Sequence, residues 1–201
     1  ASYGIWNSLS QALLKIASPG VPDFYQGCEL WDLNLVDPDN RRPVDFDKRR
    51  LFLEEIIRRS EEDMPNLMAE LLQHRVDGRL KLFLIHRGLK GRRDNARAFE
   101  EGAYSPVEIR GRHRWNVVAF ARVLEGVAIV AIVPRFLVGL VEEGVMPLGH
   151  EVWKDTWLVL PSLYGGIWKN LITEEILERQ KAIPVGEVLR QFPAALLVNI
   201  P

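Results

Sequence analysis

Carboxylates, guanidinium groups and aromatic rings crowd into one part of the sequence, between residues 23 and 45. Its acidic residues are Asp23, Glu29, Asp32, Asp37, Asp39 and Asp45. Tyr25 and Trp31 lie among these acids, and Asn40, Arg41 and Arg42 belong to the same segment. Rings that stack on the apolar face of a pyranose, beside charged groups that bind paired hydroxyls, are typical of a sugar site. The segment is therefore a candidate carbohydrate site.

The same acids have a purely structural interpretation. They could cap turns and form ion pairs with the neighbouring arginines Arg41, Arg42, Arg49 and Arg50. A glycosidic mechanism needs two carboxyl groups about 5 to 10 Å apart across the scissile bond, and the sequence does not supply that distance. Spacing alone therefore leaves a sugar site and a structural network equally open.

Metal binding, thiol catalysis and phosphate-loop chemistry have weak signals. The four histidines, His74, His86, His113 and His150, show no i, i+4 pair and no nearby cysteine pattern, whereas metal ligands cluster. Cys28 has no histidine near it in sequence, which favours a structural thiol over a nucleophile. Gly165-Gly166 is typical of a hairpin turn and not of a phosphate loop. We expect no metal ion and no cofactor.

Composition limits the class of protein. Charged residues make up 26% of the 201 residues and hydrophobic ones 47%, with a net charge of −1, which is typical of a folded globular chain. A single cysteine excludes an internal disulfide, and no apolar run approaches the ~20 residues that span a bilayer. We expect a cytoplasmic protein without a membrane partner.

One stretch, 75–114, departs from this balance. It holds eleven Lys and Arg against five Asp and Glu, and Trp115 adjoins it. Such a stretch could track phosphates, so nucleic-acid binding is an alternative function. Acidic residues interrupt the basic ones, and part of the stretch lies on a predicted helix whose other face is apolar. These features favour a solvated helix face, and we expect no nucleic-acid partner.

The first half of the sequence predicts helices around the acidic segment. Apolar residues recur at three- and four-residue spacing over 5–17, which is typical of an amphipathic helix. Asp47 is the predicted cap of a second helix, Pro65 lies in the first turn of a third, and Asp77 precedes a fourth. Between the first two helices we expect a strand over 21–26 and then a loop of roughly 18 residues, a length usual for functional loops.

The pattern changes after Gly102, where short β-branched or alternating runs replace helical periodicity. These runs are 107–110, 117–123, 127–133, 157–160, 167–172, 182–189 and 195–200. Several short strands of this kind predict an antiparallel β-sandwich. We expect an α+β chain that divides into a helical part, 1–102, and a β-domain, 103–201.

A carbohydrate-binding module in the β-domain is a second alternative function. Its stacking platform would consist of Trp115, Trp153, Trp157, Tyr164 and Trp168. Stacking requires that these rings share an exposed face. Trp157 alternates with Leu158 in a predicted strand, so a position in the core is equally consistent with the pattern.

Residues 19–46 resemble a known enzyme family. The run PGVPDFYQGCE, 19–29, resembles the eighth barrel strand and following turn of the α-amylase clan of glycoside hydrolases. Its continuation LWDLNLVDPDNRRPVDF, 30–46, is similar to the maltooligosyl trehalose synthases of that clan. Weaker similarity is present in FEEGAY, 99–104, and FPAALL, 192–197. The family often has Thr where this chain has Cys28.

The resemblance implies an enzyme of trehalose biosynthesis. It would rearrange the reducing-end α-1,4 linkage of a maltooligosaccharide to an α,α-1,1 linkage by intramolecular transglycosylation, an isomerase reaction that uses retaining glycosidase chemistry. The catalytic carboxylates of the clan lie at the ends of barrel strands four, five and seven, which would all precede Ala1. We therefore expect a C-terminal segment that has no catalytic residue and is inactive alone.

The resemblance also implies a fold and a substrate site. The fold would be the helical remnant of the end of a (β/α)8 barrel followed by a β-sandwich C-terminal domain. Substrate would meet the loop after strand eight, on the barrel rim, where the motif matches Gln26, Glu29, Asp37, Asp39, Asn40, Arg41 and Arg42. We expect Asn40 to Arg42 to bind sugar hydroxyls or to brace the catalytic acids. We expect the remnant to fold back on the β-domain, to stay mobile, or to self-associate through its apolar helix faces.

Overall fold

The computed structural model describes residues 2–34, 36, 41–160, 166–178 and 182–200, and it combines helices with antiparallel sheet. The helices are α1 (Ser2–Ala17), α2 (Phe46–Glu62), α3 (Met64–Gln73), α4 (Arg79–Asp94), α5 (Ala96–Glu100), α6 (Gly149–Trp153) and α7 (Val185–Val188). The four helices predicted in the first half are thus confirmed. No helix in the described ranges is both long and apolar enough to span a membrane.

The strands form two antiparallel sheets. They are β1 (Ala103–Pro106), β2 (Glu108–Arg110), β3 (Val117–Leu124), β4 (Val127–Pro134), β5 (Trp157–Val159), β6 (Ile167–Asn170), β7 (Ile176–Leu177), β8 (Ala182–Pro184) and β9 (Ala195–Ile200). The larger sheet has the order β1-β3-β4-β9-β6-β7, and the smaller has the order β2-β5-β8. Gly126 closes the β3–β4 hairpin with φ +87°, a conformation that suits glycine.

Strand β4 lies between two hydrophobic cores. Ile129, Ala131 and Val133 pack with the helices, whereas Val130 and Ile132 pack with the smaller sheet. Alternating side chains point to opposite faces of a strand, so a strand covered on both faces is apolar throughout. The continuous apolar run 127–133 has this physical cause. The two sheets enclose the second core between them.

The helices pack on the larger sheet. Trp6, Leu9 and Leu13 of α1 share a core with α4 and with β4, and the Ser10 hydroxyl donates to the Pro134 carbonyl across that contact at 2.9 Å. The apolar stripe of α1 is therefore covered by other parts of the chain. The predicted division into 1–102 and 103–201 coincides with the change from helix to sheet and stays a prediction as a division into domains.

Helix α2 differs from the others because much of its apolar surface is exposed. Phe46, Leu51 and Ile57 are exposed to solvent, and only Ile56 of this helix is fully buried. Its N-cap is Asp45, whose side chain accepts a hydrogen bond from the Lys48 amide at 2.9 Å. The prediction that Asp47 caps this helix is wrong, because Asp47 lies in the first helical turn.

Two predicted strands differ from the structure. Residues 21–26 form no strand: they are irregular and lead into a turn, and no described strand pairs with them. The predicted strand 182–189 ends at Pro184, and α7 follows it. Gly186 of α7 lies so close to α6 that a Cβ there would be 2.7 Å from the Cα of His150. Packing against α6 therefore overrides the β propensity of this segment.

Candidate functional site

The segment between α1 and α2, residues 18–45, is the candidate site, and we call it the α1–α2 loop. The structure describes it at 18–34, 36 and 41–45. Cationic side chains from the helices bind its backbone oxygens: Lys15 Nζ donates to the Asp23 carbonyl at 3.0 Å and Lys81 Nζ to the Leu30 carbonyl at 3.2 Å. Backbone oxygens need hydrogen-bond partners. The two lysines donate hydrogen bonds that the backbone amides of a neighbouring strand would otherwise donate.

Arg92 of α4 fixes the point where α1 ends and the loop begins. Its guanidinium donates to the carbonyls of Ile16 at 2.6 Å, of Ser18 at 3.3 Å, and of Gly20. The last carbonyls of a helix lack intrahelical partners, and a cation at that end also favours the helix dipole. Burial lowers the pKa of Arg92. One side chain of α4 therefore ties the last turn of α1 to the first residues of the loop.

Arg49 of α2 joins the middle of the loop to its C-terminal end. It donates to the Gly27 carbonyl at 2.8 Å, to the Asp45 carbonyl at 3.0 Å, and to the Glu29 carboxylate, Nε to Oε2, at 3.1 Å. A planar guanidinium suits such simultaneous contacts better than a lysine would. Glu29, a predicted substrate-binding residue, is thus the ion-pair partner of Arg49.

Several acids of the segment have the structural roles that the sequence left open. Asp45 caps α2, Glu29 pairs with Arg49, and the Asp32 side chain accepts from the Asn34 amide at 3.1 Å. Trp31, a predicted stacking ring, is half-buried, and its indole donates to the Arg75 carbonyl at 2.8 Å. Local turns and ion pairs therefore account for these four side chains in the structure.

The remaining predicted substrate-binding residues fall into two groups. Gln26, Arg41 and Arg42 are exposed on the α1–α2 loop. Asp37, Asp39 and Asn40 lie outside the described residues. The positions that a sugar could reach directly, among those described, are thus Gln26 and the two arginines.

A small cavity of about 130 Å³ that the sequence did not indicate lies between the α1–α2 loop, α1 and α4. Cys28, Lys81, Lys15 and Phe24 are among the residues that line it. Burial raises the pKa of the Cys28 thiol and lowers the pKa of the Lys81 ammonium. A thiol with a raised pKa stays protonated at neutral pH and is a poor nucleophile, which agrees with a structural role for Cys28.

The basic stretch 75–114 is largely used inside the fold. Arg79 lies 2.8 Å from an oxygen of Asp77 and 3.0 Å from one of Glu70. Buried Arg87 pairs with Glu174, and Arg92 binds the carbonyls at the end of α1. These contacts leave fewer of the cations available to phosphates, and they differ from the predicted solvated face because Arg87 is buried. No group of three or more His, Cys, Asp or Glu suited to a metal ion is present in the described ranges.

The predicted aromatic platform of the β-domain is wrong as a single surface. Trp153 and Trp168 are buried in the second core, whereas Trp115 is 65% exposed and Trp157 is 40% exposed. Tyr164 lies outside the described residues. Rings in a core cannot stack on a ligand, so the five aromatic residues do not form one binding face.

Comparison with known proteins relates this fold to one group of enzymes. No family model matches the chain. A curated protein from Mycobacterium tuberculosis (strain CDC 1551 / Oshkosh), which carries the name maltooligosyl trehalose synthase, is 36% identical over 198 residues, or 98% of this chain. The similarity to maltooligosyl trehalose synthases is confirmed. The chain spans about a fifth of the length of that relative, 21%.

Solved structures of maltooligosyl trehalose synthases have the same fold over this chain. The enzyme from Arthrobacter ramosus matches with a TM-score of 0.75 and 32% identity, covering 99% of this chain and 23% of that one. A second maltooligosyl trehalose synthase structure matches with a TM-score of 0.61 and 28% identity, over 98% and 22% of the two chains. The likeness therefore covers nearly all of this chain and about a quarter or less of each of those enzymes.

Proposed function

We propose that this chain is the C-terminal segment of an enzyme that converts the reducing-end α-1,4 linkage of a maltooligosaccharide to an α,α-1,1 linkage. The observation that carries the proposal is 36% identity to a maltooligosyl trehalose synthase across 98% of the chain. The motif over 19–46, which lies within that match, supports it further, because it resembles the same enzymes at the loop that would face substrate. A cytoplasmic location belongs to the proposal and is supported by the single cysteine.

The proposed chemistry is intramolecular transglycosylation. One carboxylate attacks the anomeric carbon and displaces the reducing-end glucose, whose O4 takes a proton from a second carboxyl group, to give a glycosyl-enzyme intermediate. The anomeric hydroxyl of the displaced glucose then attacks that intermediate in place of water, returns its proton to the second carboxylate and releases the first. The carboxylates that perform these steps are proposed to precede Ala1. This chain would supply part of the wall that binds the sugar, and it would be inactive when isolated.

The α1–α2 loop is the proposed substrate contact of this chain. Its exposed Gln26, Arg41 and Arg42 support binding of sugar hydroxyls, and Asp37, Asp39 and Asn40 complete the proposed set. Glu29 acts in this proposal through Arg49, since their ion pair joins the loop to α2. The exposed apolar side chains of α2 support self-association of the isolated chain, because such surface favours burial.

We expect the isolated chain to leave maltopentaose unchanged. The proposal places the reacting carboxylates outside this chain, so no glycosyl-enzyme intermediate can form. Incubation of the purified chain with maltopentaose, followed by an assay of reducing ends and chromatography of the products, tests this expectation. A non-reducing product ending in trehalose would contradict the proposed inactivity.

We expect the double substitution R41A/R42A to lower kcat/KM for maltopentaose about tenfold to a hundredfold in the enzyme encoded by the whole reading frame. Two charge-assisted hydrogen bonds to sugar hydroxyls would be lost. The matched control is R58A, because Arg58 is exposed on α2 and forms a surface ion pair with Glu62, which contributes little to stability. An unchanged kcat/KM in R41A/R42A would remove the two arginines from the substrate site.

A further inference from the structure

A groove of about 290 Å³ lies beside Trp115, where the chain enters β3 and leaves β4. Its polar lining consists of Arg114, Trp115 and Arg135. Its apolar lining includes Val107, Ile109 and Val118. We call this feature the Trp115 groove. Trp115 is the most exposed tryptophan among those that the structure describes in the β-domain, and an exposed ring beside a groove offers a stacking surface.

The lining of the Trp115 groove is cationic. It contains two guanidinium groups and no carboxylate, and in the described part of the chain no acidic side chain lies within ion-pair distance of Arg114 or Arg135. Nearby Arg110, by contrast, is neutralised by Glu108 at 2.7 Å. An uncompensated pair of guanidinium groups favours an anionic ligand over a neutral one.

Both arginines contact an aromatic ring and a backbone carbonyl. Arg135 donates from Nε to the Trp115 carbonyl at 2.8 Å and lies 4.8 Å from the centre of the Phe136 ring. Arg114 lies 5.3 Å from the centre of the Trp115 ring. Stacking on rings orients a guanidinium while it leaves N–H groups available. The two side chains therefore lose less conformational entropy when a ligand binds.

The backbone beside Arg135 is strained. Phe136 has φ +53° although it is not glycine, and its side chain is 68% exposed. The Asn116 side-chain amide stabilises this conformation by donating to the Phe136 carbonyl at 3.1 Å. A bulky residue in this region costs free energy, and such residues concentrate at ligand sites. The strained residue directly follows Arg135, at the edge of the groove.

We infer that the Trp115 groove binds a small phosphate ester that carries a ring. The phosphoryl group would accept hydrogen bonds from Arg114 and Arg135, and a base or the apolar face of a pyranose would stack on Trp115. A nucleoside monophosphate and a sugar phosphate share this chemistry. The inference goes beyond the proposed function and does not rest on it, because the groove belongs to the β-domain and not to the α1–α2 loop.

Calorimetric titration of the 201-residue chain with adenosine 5′-monophosphate and with glucose 6-phosphate tests the inference and separates the two sources. We expect at least one ester to bind at millimolar concentration or below, and we expect an increase of KCl from about 50 to 300 mM to weaken it several-fold. Inorganic phosphate, which lacks a ring, is expected to bind at least tenfold more weakly. In NMR spectra of the ¹⁵N-labelled protein, the indole N–H signal of Trp115 should shift when the ester is added.

Variants separate the groove from other surfaces. We expect W115A and R114Q each to weaken the ester at least fivefold, and R114Q keeps the stacking ring in place. The matched control is W157A, because Trp157 is also exposed but is the cross-strand partner of Arg110, whose charge Glu108 neutralises. That control should change binding less than twofold.

Several outcomes would overturn the inference. The first is that neither ester binds at concentrations up to about 10 mM, tenfold above the expected limit. The second and third are that inorganic phosphate binds as tightly as the esters, and that W157A weakens binding as much as W115A does. The fourth is that maltopentaose binds independently of salt and that W115A abolishes this binding. The last result would assign the groove to a neutral glucan. Binding of a single-stranded oligonucleotide with no binding of either ester would assign it to nucleic acid.

Discussion

Replacement of Gly111 by alanine is expected to lower the free energy of unfolding by about 3 to 5 kcal/mol. Gly111 follows β2 with φ +97°, and a Cβ there would lie 1.9 Å from the Asp155 carbonyl oxygen. A left-handed conformation costs a non-glycine residue about 1 to 2 kcal/mol, and the overlap with backbone adds the cost of displacing it. Urea unfolding followed by circular dichroism measures the loss.

The matched control for G111A is G126A. Gly126 has a similar φ of +87°, but no atom lies within 4 Å of the position that its Cβ would occupy. This variant therefore carries only the conformational cost, about 1 kcal/mol. A loss in G111A no larger than the loss in G126A would mean that the close approach between the residue after β2 and Asp155 is wrong.

The substitution R122M is expected to raise the free energy of unfolding by about 2 kcal/mol. Arg122 of β3 is only 3% exposed, and Nη2 donates to the Gly102 carbonyl at 2.7 Å. Its Nε and Nη1 atoms have no partner among the described residues. Burial, and then the neighbouring Arg92 guanidinium, lower the pKa of Arg122. An apolar side chain of similar volume removes a buried charge that has no counter-ion, and this gain exceeds the loss of one hydrogen bond.

Arg87 provides the contrast for Arg122. It is also buried, but it pairs with Glu174 and donates to the Leu171 carbonyl at 3.0 Å. R87M would leave both acceptors without this partner, so we expect a loss of about 1 to 3 kcal/mol. Thermal and urea unfolding of the two variants should shift in opposite directions. A loss of stability in R122M would show that the Arg122 guanidinium stabilises the fold despite its unpaired nitrogens.

The helices could be predicted because their signals are local. The apolar spacing of α1 and the Pro65 start of α3 depend only on residues within one or two turns. The run that forms β4 was equally clear, since a strand buried on both faces is continuously apolar. By contrast, 21–26 has strand-like residues, and the described structure provides no neighbouring strand for them. Sequence pattern gives the capacity to form a strand, whereas pairing depends on the rest of the protein.

The sequence predicted which residue types make up the candidate site, but it did not predict which of them contact one another. The ion pair between Glu29 and Arg49 was among the possibilities that the sequence left open, and the residues that would touch sugar could be chosen only by resemblance. The contacts of Lys15, Lys81 and Arg92 with loop carbonyls could not be predicted, because every residue has a backbone carbonyl and none of these acceptors has a sequence signature. Arg79 and Arg87 of the basic stretch pair with carboxylates instead, and the partners Glu70 and Glu174 could not be predicted because the fold brings them close from other elements.

The cationic contacts of the α1–α2 loop have a consequence for evolution and for engineering. Lys15, Arg49, Lys81 and Arg92 bind main-chain oxygens, which every amino acid retains when its side chain changes. Exposed side chains of the loop can therefore be replaced without removing the anchors that hold its backbone, whereas replacement of Arg49 or Arg92 releases several carbonyls at once. A combinatorial library that varies Gln26, Arg41 and Arg42 and preserves the four anchors would test new ligand specificities while the loop backbone keeps its conformation.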